Sequence, residues 1–163
     1  MKRCVCLALL LCVSSAYFAR APLHADRIVV HKSKRELTLM NRGVPVKTYR
    51  IALGPAPNGA KHCEGDERTP EGVYRIDSRN ANSKYHRALH VSYPNAEDVA
   101  TARRMHCRPG GDIMIHGLKN GFGYLGAAHR NFDWTAGCIA VTNEEIDEIW
   151  AAVPNGAIVE IRP

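Results

Sequence analysis

The sequence predicts a mainly β domain of the α+β class, a sandwich of mostly antiparallel strands with two helices. Apolar and polar residues alternate over residues 27–51, with a hairpin turn signal at residues 41–43. Two later segments carry helix start signals. The 163 residues, 45% of them hydrophobic, suffice for one compact core, and no repeat, low-complexity tract or Gly/Ser linker divides the chain.

Short alternating or apolar segments predict the strands. Residues 112–116 end in the apolar run Ile113, Met114 and Ile115 followed by His116, which indicates a buried strand that delivers a histidine. Residues 54–69 are rich in Gly, Pro and charge and lack periodicity, so we expect a loop there. The predicted strands are residues 28–30, 37–39, 44–51, 72–76, 88–92, 112–116 and 157–161.

The first helix is predicted from Asn95 to about His106. Its first turn is acidic and its end is basic, the distribution that the helix dipole favours, and residues 109–111, Pro-Gly-Gly, stop it. The second helix begins at Thr142, which forms a capping box with Glu145. Its apolar residues at helical spacing face the core: Ile146, Ile149 and Trp150.

The first residues predict export. Two basic residues precede an uncharged, mostly apolar run over residues 4–18, the arrangement of a secretory signal peptide. The run is shorter than the ~20 residues of a spanning helix. We predict cleavage after Ala16, with Ala25 as the second choice and an uncleaved anchor as the alternative. A periplasmic or extracytoplasmic protein without stable membrane insertion after cleavage is therefore expected.

Cleavage after Ala16 lowers the formal net charge from +6 to +4, because it leaves 20 basic against 16 acidic residues. A mildly basic exported protein suits an anionic wall or membrane surface, and ordinary solubilising charge explains the same value. The sequence contains no basic run interleaved with aromatic residues, so nucleic acid is not an expected partner.

Cys138 has the surroundings of a nucleophile. It ends the segment Thr135, Ala136, Gly137, whose small residues leave room around the sulfur and let backbone N–H groups approach an oxyanion. A cysteine attacks as the thiolate, and His116 is the usual type of base for that step. The alternatives are a buried cysteine that packs as a small hydrophobe and a structural histidine.

The joint pattern of these residues is specific. His116 and Gly117, then seventeen residues, then Thr135-x-Gly137-Cys138 resembles the active-site signature of the L,D-transpeptidase catalytic domain family (YkuD-type). Residues 26–39, 65–74, 92–95 and 110–117 look like the same family. The resemblance implies a YkuD-like β-sandwich and divides the chain into a signal peptide (1–16), a short segment (17–25) and the catalytic domain (26–163).

The resemblance also implies the roles of the site residues. Cys138 corresponds to the nucleophile, His116 to the general base and then acid, and the Gly117 carbonyl to the group that orients the histidine. The resemblance implies that Thr135, with the backbone at Gly137 and Cys138, shapes the oxyanion pocket. The implied substrate-binding residues are Thr135, Ala136 and Gly137. Many members have histidine in place of Ala136 and arginine or asparagine in place of Ala140, so the donor and acceptor are not implied.

The reaction implied by the resemblance is acyl transfer on peptidoglycan stem peptides. The thiolate attacks a tetrapeptide donor at its L-centred diamino acid, expels D-alanine and leaves a thioester. An amine of a second stem then gives a cross-link, and a lysine of a wall-anchored protein gives protein attachment. Water as the acceptor gives an L,D-carboxypeptidase or amidase, which is the alternative to the favoured transpeptidase.

Two hypotheses from other classes compete with this one. A non-catalytic peptidoglycan-binding module on the same fold predicts loss of the cysteine or the histidine, and Cys138 and His116 are both present. A papain-like protease requires a cysteine near the mature N-terminus with its histidine downstream, and the order here is reversed.

No metal or other cofactor is expected, because the spacing of His86, His90 and His129 matches no tetrahedral zinc site. Trp134 is expected to pack against the catalytic loop. Residues 121–126, with Phe122 and Tyr124, are either a flap over the site or an ordinary exposed loop.

Three of the six cysteines lie within residues 1–16, which leaves an odd number after cleavage. An odd cysteine in an oxidising compartment indicates a free reactive thiol or an intermolecular pair. A bridge between Cys63 and Cys107 leaves Cys138 free for catalysis. Two unrelated thiols, one in a loop and one at a helix end, are the alternative.

Overall fold

The structure is a computed structural model that describes residues 23–163. The predicted signal peptide (1–16), its cleavage site and most of the predicted segment 17–25 lie outside the described residues. Within residues 23–163, none of the helices has both the length and the apolar character needed to cross a bilayer.

The described chain forms one eight-stranded sheet. The strands are β1 (Arg27–His31), β2 (Glu36–Asn41), β3 (Val44–Arg50), β4 (Gly72–Ser83), β5 (His86–Val91), β6 (Met114–His116), β7 (Ile139–Ala140) and β8 (Ile158–Arg162). Their order in the sheet is β3-β2-β1-β8-β4-β5-β6-β7. Most neighbours are antiparallel, whereas the β1–β8 and β6–β7 pairs are parallel. The fold is therefore mainly β, as predicted.

The sheet curls until its two edges meet. Ala52, just beyond the edge strand β3, forms an antiparallel bridge with Ala140 in the opposite edge strand β7. Both N–H···O distances of this bridge are 2.9 Å. The layers predicted as a sandwich are thus two parts of one continuous sheet, and the bridge leaves less of each edge open to a foreign strand.

Apolar side chains from both parts of the sheet meet in one core. Alternation along β1 and β2 buries Ile28, Val30, Leu37 and Leu39. The opposite part of the sheet and a helix add Leu89, Ile115, Ile139, Ile146 and Ile149 to the same cluster. Burial of each such side chain contributes roughly 1.5–3 kcal/mol.

Two α-helices flank the sheet, each with the predicted start. Helix α1 (Ala96–Arg104) begins after Asn95, whose side chain accepts the N–H groups of Glu97 and Asp98. Helix α2 (Asn143–Ala152) begins after Thr142, and the predicted capping box with Glu145 is confirmed. The first residue of α2 follows β7 by only two residues, so this helix starts next to that strand.

Strand β7 was not predicted, and β6 begins at Met114 instead of residue 112. Two further elements differ more widely from their predicted extent. Strand β4 continues to Ser83 instead of ending at residue 76, through a polar stretch with register shifts against β5 that alternation could not reveal. A 3₁₀ helix (Gly123–Asn131), kinked at Gly126, replaces most of the flap or loop predicted around residues 121–126. The pair of Arg130 with Glu145 ties this helix to the start of α2.

Candidate active site

A cleft of about 690 Å³ contains the predicted nucleophile and base together. Cys138, His116, Thr135 and Ala136 all line it. The parallel pairing of β6 with β7 brings these distant residues together, because His116 is in register with Ala140. Cys138, one residue before β7, therefore lies beside β6.

His116 is held in one tautomer by its own neighbour. The residue is 4% exposed, and its Nδ1 lies 2.6 Å from the carbonyl oxygen of Gly117. A carbonyl only accepts, so Nδ1 carries the proton and Nε2 of the neutral ring keeps a lone pair. Burial lowers the pKa of His116, against a smaller raising effect of the bond to Gly117. At neutral pH the imidazole is an uncharged base.

Gly117 is a glycine because α2 approaches it closely. A Cβ at this position would lie 2.8 Å from Asn143 Oδ1, which accepts the N–H of Leu118 at 2.9 Å. The first residue of α2 thus holds the backbone that orients His116. The carbonyl of Gly117 accepts the hydrogen bond from His116, as predicted. The absence of a side chain at this position is explained separately, by the close approach of Asn143.

The Cys138 thiol is half-buried and uncharged in this geometry. Burial raises the pKa of Cys138, which a bond from the Met114 N–H partly offsets. The Asp112 carboxylate raises this pKa further and the Lys61 ammonium lowers it. Sγ lies 3.4 Å from the Asp112 carbonyl oxygen, to which the thiol donates. The site therefore holds a neutral thiol beside a neutral imidazole.

Thr135 closes the turn that carries Cys138. Its hydroxyl donates to the Cys138 carbonyl at 2.7 Å and accepts the Gly137 N–H at 3.2 Å. The Gly137 N–H, one of the groups that the resemblance assigns to the oxyanion pocket, is bonded to Thr135 in this geometry. The two-residue reach of a Thr side chain to a backbone N–H is a common way to stabilise such a turn.

Gly137 is required by packing as well as by its conformation. Its φ is +112°, and a Cβ would lie 2.4 Å from the Arg68 carbonyl oxygen. Thr69 donates its hydroxyl to the Gly137 carbonyl at 2.9 Å. The predicted loop 54–69 thus forms the support beneath the Cys138 turn, which its sequence did not indicate.

That loop is anchored by a disulfide and by two buried lysines. Cys63 and Cys107 are joined, with a Cα–Cα distance of 5.7 Å, so the predicted bridge is confirmed and Cys138 is the free cysteine of residues 23–163. Lys61 bonds to Asp66 at 2.9 Å, and Lys32 bonds to Glu71 at 2.7 Å. These contacts give the loop a fixed position despite its Gly- and Pro-rich sequence.

Aromatic rings surround His116. The Tyr85 ring lies 4.6 Å from the His116 ring between centroids, and the Trp134 ring lies 5.8 Å away, edge-on. Behind Trp134, His129 accepts the indole N–H at its Nδ1, 3.3 Å away. Trp134 therefore packs against His116, and His129 lies behind it in a second layer.

The remaining histidines considered for the cleft lie elsewhere. His86 contacts Asp147 and His90 contacts Asp77, and neither they nor His129 lines the Cys138 cleft. Within residues 23–163, no group of three or more His, Cys, Asp or Glu side chains is arranged to hold a metal ion.

Sequence reasoning missed one wall of the cleft. The β4–β5 hairpin contributes Asn80, Asn82, Ser83, Lys84 and Tyr85, and Asp112 also lines the cleft. Asn120 holds the hairpin, because it accepts the His86 N–H and donates to the Ser83 carbonyl. Polar residues in a hairpin that lacks periodicity give no local sign that they line a cleft. They line it because β5 pairs with β6, the strand that carries His116.

The fold and this cleft define a class of curled-sheet proteins that hold a thiol and an imidazole in one groove. Comparison with known sequences identifies the family within this class. The family model for the L,D-transpeptidase catalytic domain (YkuD) matches residues 25–161, and the chain belongs to that family.

Individual relatives agree with this assignment. The chain is 33% identical to YafK of Escherichia coli over 119 residues, which is 71% of this chain and 40% of YafK. It therefore spans about two fifths of the length of that relative.

Solved structures share the fold. The helical cell shape determining protein Pgp2 of Campylobacter jejuni superposes with a TM-score of 0.63 at 23% identity, over 83% of this chain and 46% of that one. An L,D-transpeptidase of Xylanimonas cellulosilytica gives 0.58 at 15% identity, over 88% and 63%.

Proposed function

We propose that this protein is an exported acyltransferase that uses Cys138 as the nucleophile on peptidoglycan stem peptides. One observation carries the proposal: an imidazole locked by its neighbour's carbonyl, with Nε2 left as the basic nitrogen, lines the same cleft as the free thiol. Family membership supports the substrate class.

Acylation begins from the neutral pair. His116 Nε2 takes the thiol proton as Cys138 Sγ attacks the carbonyl carbon of the L-centred diamino acid. The tetrahedral intermediate collapses when the imidazolium returns that proton to the leaving nitrogen. Free D-alanine departs and a thioester remains on Cys138. Charge separation arises only during the reaction, because burial disfavours both ions beforehand.

The developing oxyanion needs a preorganised donor. Since the Gly137 N–H bonds to Thr135, we assign the Cys138 N–H to this task. Thr135 contributes indirectly, because its bond to the Cys138 carbonyl fixes the orientation of the turn. Ala136, exposed at the cleft, contacts substrate only through its methyl group and backbone.

The second half-reaction is aminolysis in the favoured form of the proposal. An amine of another stem, or a lysine of a wall-anchored protein, attacks the thioester while His116 removes its proton. Water in the same position gives carboxypeptidase or amidase activity, which is the alternative outcome. Lys84 and Asp112 line the cleft with opposite charges, which suits a substrate carrying both an ammonium and a carboxylate group.

Mass spectrometry of purified stem tetrapeptides incubated with the exported form tests the proposal. Dimeric product is the expected result, and tripeptide alone indicates the hydrolase. Unchanged tetrapeptide and unmodified enzyme would exclude both, and would leave a non-catalytic wall-binding module. N-terminal sequencing tests export: we expect a start near Tyr17, whereas an intact Met1 on membrane-bound material indicates an uncleaved anchor.

A further inference from the structure

Asp112 lies beside the sulfur of Cys138 and lines the same cleft. Its carbonyl oxygen accepts the thiol at 3.4 Å. Two residues further along the chain, the N–H of Met114 also bonds to the sulfur. The backbone of residues 112–114 therefore holds Cys138 Sγ, and the Asp112 side chain starts from that point of contact.

The carboxylate of Asp112 is an exposed negative charge in the cleft. Within residues 23–163, no Lys, Arg or His side chain forms an ion pair with it. Asp66, in the loop that supports the Cys138 turn, is by contrast paired with Lys61. A carboxylate without a partner in a substrate cleft is complementary to a positively charged group of the ligand.

The charge of Asp112 opposes ionisation of the thiol. Burial raises the pKa of Cys138 most, and the Asp112 carboxylate raises this pKa further. Lys61 lowers it, but its ammonium is 2.9 Å from Asp66 and is already partly compensated. His116 supplies no positive charge at neutral pH, because burial lowers its pKa. A cation bound to Asp112 would therefore remove one obstacle to thiolate formation.

The chemistry of the two half-reactions decides which amine Asp112 can bind. An acceptor amine attacks the thioester with its lone pair, so it must be uncharged. A neighbouring carboxylate favours the protonated amine, which makes Asp112 unsuited to hold the acceptor. The diamino acid of the donor carries a side-chain amine that does not react during acylation. That amine belongs to the residue whose carbonyl carbon Cys138 attacks, so it enters the cleft next to the sulfur.

We propose that Asp112 is a specificity-determining residue of the cleft and binds the side-chain ammonium group of the donor's diamino acid. The inference rests on the proposed function and names the feature that a donor must carry, a free and charged side-chain amine. A stem whose side-chain amine is already in an amide bond is then a poor donor. Binding of the ammonium group neutralises the charge beside the sulfur, so a matching donor also favours ionisation of the thiol that attacks it.

Three stem tetrapeptides test the proposal, with the side-chain amine of the diamino acid free, dimethylated or acetylated. Dimethylation adds bulk and keeps the positive charge, whereas acetylation adds similar bulk and removes the charge. The release of D-alanine in a single turnover with excess enzyme gives kcat/KM for acylation, and no acceptor is needed. We expect the free and dimethylated donors to react about tenfold faster than the acetylated donor, the scale of one hydrogen bond to a charged group.

Asp112→Asn removes the charge and preserves the shape of the side chain. The φ of this residue is +54°, a left-handed conformation that Asn also adopts, so the backbone beside Cys138 should be retained. The three donors should react at similar rates with this variant. Iodoacetamide, which is uncharged, should alkylate Cys138 at pH 8 faster than in the wild type, because the Asp112 charge no longer opposes the thiolate. Asp77→Asn, which breaks the pair with His90 outside the cleft, should retain the wild-type preference and alkylation rate.

Equal rates with the dimethylated and acetylated donors in the wild type would overturn the inference and leave the proposed function intact. A preference that persists in Asp112→Asn, or alkylation of that variant no faster than of the wild type, would also overturn it. If no donor releases D-alanine, the proposed function fails, and calorimetric titration of the same peptides into the wild-type protein still decides the inference. Tighter binding of the dimethylated than of the acetylated peptide, lost in Asp112→Asn, supports it. Equal or absent binding of these two peptides refutes it.

Discussion

The Nδ1 atom of His116 lies 2.6 Å from the carbonyl oxygen of Gly117, the next residue in the chain. The donor and acceptor are therefore adjacent in sequence, and no third side chain is needed to set the tautomer. This relationship leaves Nε2 as the basic atom and makes the orientation of the base depend on the backbone after β6.

A carbapenem should acylate the protein at Cys138, because its strained carbonyl is open to attack by the nucleophile that the proposed function assigns. Intact-mass spectrometry should show one adduct, absent from Cys138→Ala. His116→Ala should slow adduct formation about a hundredfold or more, the usual effect of removing a positioned base. His86→Ala is the control, since His86 does not line the cleft. An adduct on Cys138→Ala would contradict the assignment.

Alkylation of Cys138 by iodoacetamide should rise with pH without a plateau through pH ~9. Burial raises the pKa of this thiol above the ordinary cysteine pKa of about 8.5. The thiolate fraction, and with it the alkylation rate, therefore still increases with pH at pH ~9. The measurement is the rate of mass gain between pH 6 and 10, with free cysteine as the reference. A plateau below pH ~7 would instead reveal a preformed thiolate–imidazolium pair.

Stability should fall as pH falls from ~6.5 toward ~4 because of His129. Burial, with Arg130 nearby, lowers the pKa of His129 to about 4, so the unfolded state binds the proton first. The linkage relation gives a loss of about 2 kcal/mol between pH 7 and pH 5. Urea unfolding at both pH values measures it.

His129→Gln is the matched variant, because Gln keeps an acceptor for the Trp134 indole and does not titrate. Its unfolding free energy should lose about 2 kcal/mol less than that of the wild type over the same pH interval. An identical pH dependence in the two proteins would show that another group titrates in this window. His116, whose pKa burial also lowers, is the first candidate.

Lys32→Met should lower the free energy of unfolding by about 3 kcal/mol. The Lys32 side chain is 2% exposed and donates to Glu71 and to the carbonyl oxygens of Gly59 and Thr69. Loss of one partner of a buried pair leaves uncompensated polar groups. Lys47→Met, which breaks the exposed pair with Glu148, should cost under about 1 kcal/mol. Equal losses in urea unfolding would contradict the structural role of Lys32.

Thiol counting on denatured, unreduced protein that starts at Tyr17 should find one free thiol, Cys138, because Cys63 and Cys107 are bridged. Replacing both bridged residues with serine should lower the free energy of unfolding by about 3 to 4 kcal/mol, since the bridge closes a separation of 44 residues. The same change should slow carbapenem acylation, because the loop supports Gly137 through Thr69. Three reactive thiols in the untreated protein would refute the bridge.

The secondary structure was largely accessible from the sequence because its signals are local. The capping box of Thr142 with Glu145 is a contact within one helical turn, and alternation along β1 and β2 reflects which side of each strand is buried. The polar end of β4 was missed because local sequence signals do not report pairing between strands. Its pairing with β5 is a nonlocal contact that leaves no periodic pattern.

The sequence by itself determined the fold class, the helix starts and the pattern that places Cys138 and His116 within one family signature. Only the tertiary structure decided what lies around them. In the structure, Tyr85 and Trp134 pack against His116. The loop that ends at Thr69 supports the turn of Cys138, and His129 lies outside the cleft. The physical reason is that residue type and spacing encode local conformation and burial, whereas these contacts depend on the pairing of strands far apart in the chain.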